Sequence, residues 1–460
     1  MKRFTYLDLV KELLPESERK DFEDTYTNPI QKSIKIITKK ISQEEIQKED
    51  KSLTFFDVPF SQNNQPLHDI VFVSKEEKGG LGNHRLHKRG FFYVQEMSAG
   101  VPVQTMDIKE DEVVLDMCSA PWGKSLQLLD KAPWSSIILS NEVNPQRRKA
   151  LLSNLERCGN EQIAILGYDG RKLGDLFFEQ CDKVLLDAPC SGEWMQYKSD
   201  FKIFSWNEKE VKKIATLQEE LLISWLKALK IWWELTYSTC TTNTLENEGV
   251  LKNILEQYGD AIEFLPVRID QKSQGIPQRR EETYPEEITH TCARFRPHKQ
   301  HTWWFFVAKI RKKKSIESIQ HTPSLENSIW NYQEEKNQEI WEFLKEHFGI
   351  QEKDFPHLCF VESQLTIQVV SKNYLPLLQK HLFREQLWMP ILKKLNNKYL
   401  PLDGLAVIFG SKATKNVLQL TTDEIKEFVD QQRISKEISF SEKYLLVIWK
   451  NKGIGIYVRK

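Results

Sequence analysis

Short apolar segments alternate with helical segments from residue 111 to about 314, and this pattern constrains the fold more than any other feature. Strands that alternate with helices are typical of a parallel, doubly wound sheet covered on both faces. We therefore predict an α/β region here. The predicted strands are Val113–Asp116, Ile137–Leu139, Ile163–Leu166, Lys183–Leu186, Leu235–Tyr237 and one strand within 301–310; the predicted helices include 145–157 and 208–229.

The flanking segments differ from this region. Residues 1–110 are polar and mixed, and Lys32–Ile37 alternates like an edge strand. Residues 315–345 begin as a linker and become helical toward residue 348, and residues 346–460 predict a smaller α+β domain. We therefore predict an N-terminal extension over 1–110, a catalytic domain over 111–314, a linker over 315–345 and a C-terminal domain over 346–460.

Composition excludes several classes of protein. Lys plus Arg and Asp plus Glu are each 65, so any nucleic-acid surface must be a local patch. The seven cysteines show no regular spacing, which argues against a disulfide framework, and no Cys/His pattern indicates a metal. We find no signal peptide and no apolar run long enough for a membrane span. A soluble cytoplasmic protein without a metal is expected.

The segment Asp116–Ser125 joins the first predicted strand to a helix, where nucleotide-like ligands meet a helix N-terminus in this fold class. It has neither the dinucleotide-binding nor the phosphate-binding glycine pattern. Glu142, Asp169 and Asp187 follow the next three strands. Each acid could be an ordinary turn or cap residue. Together they favour a cofactor with ribose and adenine but without pyrophosphate, and S-adenosylmethionine is the candidate.

Two cysteines also lie at predicted strand ends. Cys190 is in Asp187–Gly192 (DAPCSG), and Cys240 is in Tyr237–Thr241 (YSTCT). Because the carboxyl ends of parallel strands share one edge of the sheet, we expect both thiols at the same rim, as in a site for covalent catalysis. Two buried structural cysteines are the alternative.

With these motifs assembled, the chain resembles the RNA (cytosine-5) methyltransferases of the Nop/Sun family, and within it the bacterial RsmB/RsmF ribosomal RNA branch. The resemblance covers roughly residues 25–314 and is densest in four segments, 87–96, 116–125, 187–192 and 237–248. It implies a Rossmann-like methyltransferase sheet, preceded by an N-terminal RNA-binding extension. A weaker likeness implies a PUA-like C-terminal domain.

The resemblance also implies roles for individual residues. Cys240 is the nucleophile that adds to carbon 6 of cytosine, Asp187 holds or protonates the ring at nitrogen 3, and Cys190 helps release the product. The residues implied in cofactor binding are Cys118, Ser119, Ala120, Pro121, Trp122, Gly123, Lys124, Glu142, Asp169 and Asp187.

The implied substrate is a specific cytidine of 16S ribosomal RNA, and the partner is RNA. Two basic clusters are candidates for phosphate contacts, although either could be an ordinary solvated face. We expect a monomer. Two alternatives stay open, a transfer RNA methyltransferase and an RNA-binding ribosome assembly factor that has lost cofactor binding. The clusters are His84, Arg85, His87, Lys88 and Arg89, and Arg294, Arg296, His298 and Lys299.

The chain departs from the family pattern at six positions, and each departure is a Trp where family members carry Gly. Gly is scarce, at 19 residues, whereas Trp is abundant, at 13. Decay of function would also have removed Cys240 and Asp187. We therefore hypothesise that these positions are UGA codons that the source organism reads as Gly; genuine Trp residues in reshaped loops are the alternative. The positions are Trp122, Trp194, Trp232, Trp233, Trp303 and Trp304.

Overall fold

The computed structural model describes residues 4–25, 30, 32–57, 61–62, 65–66, 70–75, 80–119, 123–159, 161–193, 206–317, 332–363, 365–380, 386–396, 398–431, 434 and 442–459. Three regions follow one another along the chain and pack together. No helix within these ranges is both long enough and apolar enough to cross a membrane.

The described part of the N-terminal region contains five helices, a four-stranded sheet and a separate pair of short strands. Its helices are α1 (Tyr6–Leu13), α2 (Glu16–Asp24), α3 (Gln43–Glu49), α4 (Arg85–Lys88) and α5 (Val101–Gln104). Its strands are β1 (Ser33–Ile36), β2 (Leu53–Asp57), β3 (Ser61–Gln62), β4 (Gln65–Pro66), β5 (Ile70–Lys75) and β6 (Phe92–Val94).

The prediction of an edge strand at Lys32–Ile37 is wrong. Strand β1 pairs antiparallel with β5 on one side and with β6 on the other, so it is an interior strand of the sheet β2-β5-β1-β6. All four of its residues are buried, including the ammonium of Lys35, which pairs with Asp130 at 2.5 Å. The alternating pattern misled the prediction because a buried ion pair satisfies this lysine.

The central region forms the main sheet. Its strands are β7 (Val113–Asp116), β8 (Ile137–Asn141), β9 (Ile163–Leu166), β10 (Cys181–Asp187), β11 (Leu229–Thr239), β12 (Ile262–Leu265), β13 (Gln278–Arg279), β14 (Glu282–Thr283), β15 (Ala293–Phe295) and β16 (Phe305–Lys312). Its helices are α6 (Gly123–Lys131), α7 (Pro145–Cys158), α8 (Gly170–Leu176), α9 (Glu208–Ala228), α10 (Val250–Tyr258), α11 (Glu286–Thr289) and α12 (Pro297–Gln300).

The predicted α/β sheet is confirmed over its five parallel strands. They lie in the order β11-β10-β7-β8-β9, so the first strand along the chain is at the centre. The last strand is not parallel, because β16 pairs antiparallel with both β11 and β12. Apolar residues from strands and flanking helices fill the core on both faces. This order brings the carboxyl ends of β7, β10 and β11 to adjacent places on one rim.

The C-terminal region consists of two small sheets and four helices. The helices are α13 (Glu334–Phe348), α14 (Leu375–Lys380), α15 (Asp403–Phe409) and α16 (Thr422–Gln431). The strands are β17 (Leu358–Glu362), β18 (Thr366–Ser371), β19 (Gln386–Leu387), β20 (Met389–Leu395), β21 (Lys398–Pro401), β22 (Val417–Gln419), β23 (Tyr444–Trp449) and β24 (Lys452–Val458).

This region is joined to the central sheet more closely than a linker would require. Helix α13 begins at Glu334, inside the segment 315–345 that was predicted as a linker, and packs on β17. Strand β19 pairs antiparallel with β9 and so extends the central sheet. The helix belongs to the C-terminal region because its buried face, including Ile340 and Leu344, needs that region's apolar core.

Candidate active site

A cavity of about 320 Å³ opens at the carboxyl ends of the central parallel strands. Both the central region and the N-terminal region contribute to its walls. The residues that line it are Tyr93, Val94, Gln95, Glu96, Ala99, Cys118, Ser119, Gly123, Lys124, Asp187, Cys240, Trp303 and Phe305. The predicted nucleophile, the predicted acid and four of the predicted cofactor residues therefore meet in one place.

The two predicted thiols face each other. Cys190 follows β10 and Cys240 follows β11, and their Sγ atoms lie 3.1 Å apart, because these neighbouring strands are parallel and in register to their last residues. The hydrogen bond with Cys240 and burial raise the pKa of Cys190 well above its usual range. Cys190 is therefore a neutral thiol that can donate a hydrogen bond to the sulfur of Cys240.

Asp187 ends β10 between two donors. Its Oδ2 lies 2.7 Å from the ammonium of Lys124, and its Oδ1 accepts a hydrogen bond from Ser238 Oγ at 2.9 Å. The Lys124 ammonium also lies 5.0 Å from the centre of the Phe305 ring. The side chain of Asp187 is thus held in place beside a positive charge at the wall of the cavity.

The segment between β7 and α6 was predicted as the cofactor loop. Cys118, Ser119, Gly123 and Lys124 line the cavity, whereas Ala120, Pro121 and Trp122 lie outside the described residues. A Cβ atom at Gly123 would lie 3.0 Å from the side chain of Gln95. Burial raises the pKa of Cys118, so its thiol is neutral.

The other two predicted cofactor acids do not line this cavity. Glu142 is buried at the end of β8, accepts a hydrogen bond from the amide of Asn144 at 2.9 Å, and has Arg147 at 3.4 Å. Asp169 caps helix α8 and pairs with Arg171 at 2.6 Å, and the hydrogen bond from Arg171 lowers its pKa. Both acids make the local contacts of turn or cap residues, the alternative that the sequence left open. They lie further along the same rim.

The sequence analysis did not single out Asp116 as a site residue. Its carboxylate is fully buried at the end of β7, and Oδ2 accepts a hydrogen bond from Ser125 Oγ at 2.5 Å. Its Oδ1 is buried and has no hydrogen-bond partner among the described residues. Burial raises the pKa of Asp116 to about 7. The sequence did contain a signal for Asp116, because this acid ends the first and most central strand of the sheet.

The N-terminal contribution to the cavity was also missed, since the motif 87–96 was recognised only by resemblance. Tyr93 to Glu96 reach the cavity because β6 ends beside it. Glu96 accepts hydrogen bonds from the Trp303 amide at 3.2 Å and from the hydroxyl of Thr302. Burial raises the pKa of Glu96. No three His, Cys, Asp or Glu side chains within the described ranges form a group suited to a metal ion.

The two predicted basic clusters are largely occupied by contacts within the chain. Arg294 is fully buried and pairs with Glu248 at 2.5 Å, while Arg296, His298 and Lys299 all contact Glu18 of α2. In the first cluster, His84 contacts Asp50 at 2.8 Å, and Arg89 donates to the carbonyl of Ile454 at 3.0 Å. Contacts of Arg296, His298 and Lys299 join the central region to the N-terminal region, and Arg89 joins the N-terminal region to the C-terminal region. Lys88 and Lys299 are exposed, so the solvated-face alternative stays open for these two.

Of the six tryptophans predicted to stand at glycine positions, Trp232 and Trp304 lie in unusual surroundings. Trp232 lies in an irregularity of β11, has a φ of +73°, and is 66% exposed. A positive φ is costly for any residue with a Cβ and is readily adopted by Gly. Trp304 is fully buried, and its indole nitrogen has no hydrogen-bond partner in the described part of the chain. Trp303 lines the cavity and Trp233 is half-buried, whereas Trp122 and Trp194 lie outside the described residues.

Residues 103–311 match the profile of a family described as 16S rRNA methyltransferase RsmB/F. Two similar relatives are both named ribosomal RNA small subunit methyltransferase F. The one from Vibrio parahaemolyticus is 35% identical over 321 residues, which are 68% of this chain and 64% of the relative. The one from a Shewanella species is 32% identical over 325 residues, 70% of this chain and 64% of the relative. The chain thus spans less than two thirds of their length.

Solved structures share this architecture. A methyltransferase homolog protein from Pyrococcus horikoshii is 27% identical, has a TM-score of 0.57, and covers 66% of this chain and 93% of its own. NSun6 from the same organism, solved with SFG, has a TM-score of 0.56 at 21% identity and covers 68% of this chain and 99% of its own, which bears on the fold alone. The central region therefore has a Rossmann-like methyltransferase fold.

Proposed function

We propose that this chain, which belongs to the RsmB/F methyltransferase family, methylates carbon 5 of one cytidine in 16S ribosomal RNA with S-adenosylmethionine as the methyl donor. The names of its relatives support ribosomal RNA as the substrate class. The observation that carries the cytosine chemistry is the pair of facing thiols, Cys190 and Cys240, beside Asp187.

The chemistry explains why two thiols are needed. Carbon 5 of cytosine is too weakly nucleophilic to take a methyl group unaided. The Cys240 thiolate adds to carbon 6, and the electron pair of the 5,6 double bond moves toward carbon 5. After carbon 5 gains its methyl group, it must lose its proton, and the bond between sulfur and carbon 6 must break. Cys190, 3.1 Å from the Cys240 sulfur, is placed to assist this release.

Asp187 and Lys124 act on the ring during the addition. Asp187 holds or protonates nitrogen 3, which accepts negative charge when the thiolate attacks. Lys124 keeps the carboxylate in place through its 2.7 Å ion pair and adds positive charge beside the ring. A target base inside paired RNA must leave its stack to reach this cavity.

The residues present fit S-adenosylmethionine. The buried Oδ1 of Asp116 is an acceptor without a donor among the described residues, and a Cβ atom at Gly123 would crowd the side chain of Gln95. Cys118, Ser119, Gly123, Lys124 and Asp187 would hold the cofactor, with Glu142 and Asp169 further along the rim. When bound, it supplies an electrophilic methyl group.

The regions outside the methyltransferase fold are proposed to bind RNA. The N-terminal region already forms one wall of the cavity, so it is placed to contact nucleotides next to the target. For the C-terminal region we propose a PUA-like role, which rests on the resemblance alone. Methyl-transfer assays identify the target cytidine and measure the contribution of each region.

The test is methyl transfer to small ribosomal subunits, naked ribosomal RNA and transfer RNA, with bisulfite mapping of the product. The protein should be made both as written and with Gly at residues 122, 194, 232, 233, 303 and 304. One protected cytidine in 16S ribosomal RNA is the expected result. Methylation of transfer RNA alone would mean that transfer RNA, and not ribosomal RNA, is the substrate. No methylation by either form of the protein would favour the assembly-factor alternative.

A further inference from the structure

A buried carboxylate, that of Glu246, lies behind the two facing thiols. Glu246 belongs to a turn of π-helix, Leu245–Gly249, between the Cys240 loop and α10, and its side chain is fully buried. Its Oε2 accepts a hydrogen bond from the Ser191 amide at 2.8 Å, and its Oε1 accepts one from Ser191 Oγ at 2.5 Å. It also accepts hydrogen bonds from Asn243 Nδ2 at 2.7 Å and from Gln218 Nε2 at 3.0 Å.

These donors come from both thiol loops. Ser191 directly follows Cys190 and Thr241 directly follows Cys240, and their hydroxyl oxygens lie 2.9 Å apart. The Thr241 hydroxyl is itself 3.5 Å from Glu246 Oε1. Gln218 completes the connection, because its amide also donates to the carbonyl of Pro189 at 2.8 Å. One carboxylate therefore connects the residues next to both sulfur atoms.

Among the described residues, those donors offset the cost of burying this carboxylate. Burial and the negative charge of Glu193 both raise the pKa of Glu246, so the carboxyl is destabilised in its charged form. Four close hydrogen bonds offset that cost, and each donor lies in a thiol loop or on α9. An apolar side chain would fill the same space without this cost, but it could not fix the two loops relative to each other.

We propose that Glu246 is a positioning residue that holds the Cys190 and Cys240 thiols in the register required to release the methylated base. The inference rests on the proposed function, because only that reaction requires both thiols in sequence. Addition needs Cys240 alone, whereas release needs Cys190 beside it. Loss of the carboxylate therefore leaves addition possible and slows release.

The test compares Glu246→Gln, Glu246→Asp and Glu248→Gln in the full chain. Glu248 is the matched control, since it is equally buried two residues away but binds Arg294 and the Ile276 amide instead of the thiol loops. We expect Glu246→Gln to lower kcat by about 10- to 100-fold. KM for RNA should change little, and the fraction of enzyme covalently joined to RNA should rise. Glu246→Asp should recover part of the rate, and Glu248→Gln should not raise the adduct fraction.

A second measurement reports thiol spacing without methyl transfer. Phenylarsine oxide binds two adjacent thiols, with one arsenic–sulfur bond to each and loss of water. Binding to the wild type should require both Cys190 and Cys240, as Cys190→Ser and Cys240→Ser would show. Glu246→Gln should weaken it by about tenfold or more, because the two thiols no longer act as one bidentate site. Ser191→Ala, which removes one donor only, should weaken it less and serves if Glu246→Gln does not fold.

The two readouts separate this inference from the proposed function. Weakened arsenical binding with adduct accumulation supports both. Weakened arsenical binding by an enzyme that methylates none of the RNAs supports the positioning role and overturns the proposed function. If the Glu246 variants bind the arsenical like the wild type and only lose thermal stability, as we expect of Glu248→Gln, the positioning role is wrong.

Discussion

The ammonium of Lys124 lies 2.7 Å from the carboxylate of Asp187, and this ion pair joins the first turn of α6 to the end of β10. Lys124→Met keeps most of the side-chain volume and removes the charge. We expect kcat/KM for methyl transfer to fall by about 100-fold, because Asp187 loses its fixed position and the ring loses nearby positive charge. Methyl transfer under single-turnover conditions measures the effect.

Lys124→Arg is the control for this prediction, since it keeps the charge but not the compact ammonium. It should retain more activity than Lys124→Met. Equal activity of Lys124→Met and the wild type would mean that the ion pair has no part in the reaction.

The two thiols predict opposite results for two similar variants. Cys240→Ser should abolish transfer, by about 10⁴-fold or more, because serine is a poor nucleophile toward carbon 6. Cys190→Ser should instead accumulate a covalent complex of protein and RNA, because addition proceeds and release does not. Denaturing gel electrophoresis with labelled RNA detects the complex. Normal turnover of Cys190→Ser without an adduct would show that the roles are assigned incorrectly.

Trp232 provides a physical test of the reading of UGA as Gly. Because its φ is +73° and its indole is 66% exposed, Trp232→Gly removes backbone strain and loses little packing. We expect the free energy of unfolding to rise by about 1–2 kcal/mol, measured by urea denaturation. Trp225→Gly is the contrasting variant, because Trp225 is fully buried in a helix and its loss should be strongly destabilising.

The same hypothesis has a direct chemical test. A native peptide that spans residue 122 should have the mass that corresponds to Gly at that position. Trp in that peptide would end the idea, and the tryptophans would then be genuine features of the site.

Asp116 predicts an unusual dependence of stability on pH. Burial raises its pKa to about 7, so between pH 4 and pH 7 the folded chain binds more protons at this position than the unfolded chain. Its contribution to stability is therefore lost as pH rises through that interval. When the pH rises from 5 to 8, the free energy of unfolding should decrease in both proteins. The decrease should be about 1–3 kcal/mol smaller in Asp116→Asn than in the wild type. Urea denaturation at both pH values checks this, and calorimetry should show weaker binding of S-adenosylmethionine.

Glu18 predicts the opposite dependence. Burial opposes its ionisation, but hydrogen bonds from Lys299 and His298 and the charge of Arg296 lower its pKa to about 2. This contribution to stability is complete above pH 4.5 and is lost as pH falls toward 2. Glu18→Gln should lower Tm by about 2–4 °C at pH 7 and by much less near pH 2. An equal decrease at both pH values would show that the contacts of Arg296, His298 and Lys299 with this carboxylate do not stabilise the fold.

The parallel strands and the residues at their ends could be predicted from sequence, because apolar runs mark buried strands and the fold places their carboxyl ends together. That reasoning placed Cys190, Cys240 and Asp187 at one rim, whereas Lys124 was assigned to the site through the resemblance. It depends only on the spacing of apolar residues and on the direction of the strands. Residues that are close together along the chain determine both.

Other features depend on contacts between distant segments and could not be predicted in this way. The interior position of β1 follows from its pairing with β5 and β6, and the N-terminal wall of the cavity follows from where β6 ends. The basic clusters looked like a surface for RNA because Glu18, Asp50 and Glu248, which occupy several of their residues, lie far away in sequence.

Strand β19 covers the outer edge of β9, although it comes after every other strand of the central sheet along the chain. A nascent chain that has emerged only through β16 has every other strand of the central sheet but leaves the backbone of β9 without its partner on that side. Completion of the sheet therefore waits for the C-terminal region to leave the ribosome. A protein truncated after residue 317 would keep every proposed catalytic side chain but would expose the unpaired edge of β9. We therefore expect aggregation, rather than loss of methyl transfer, to be its first defect.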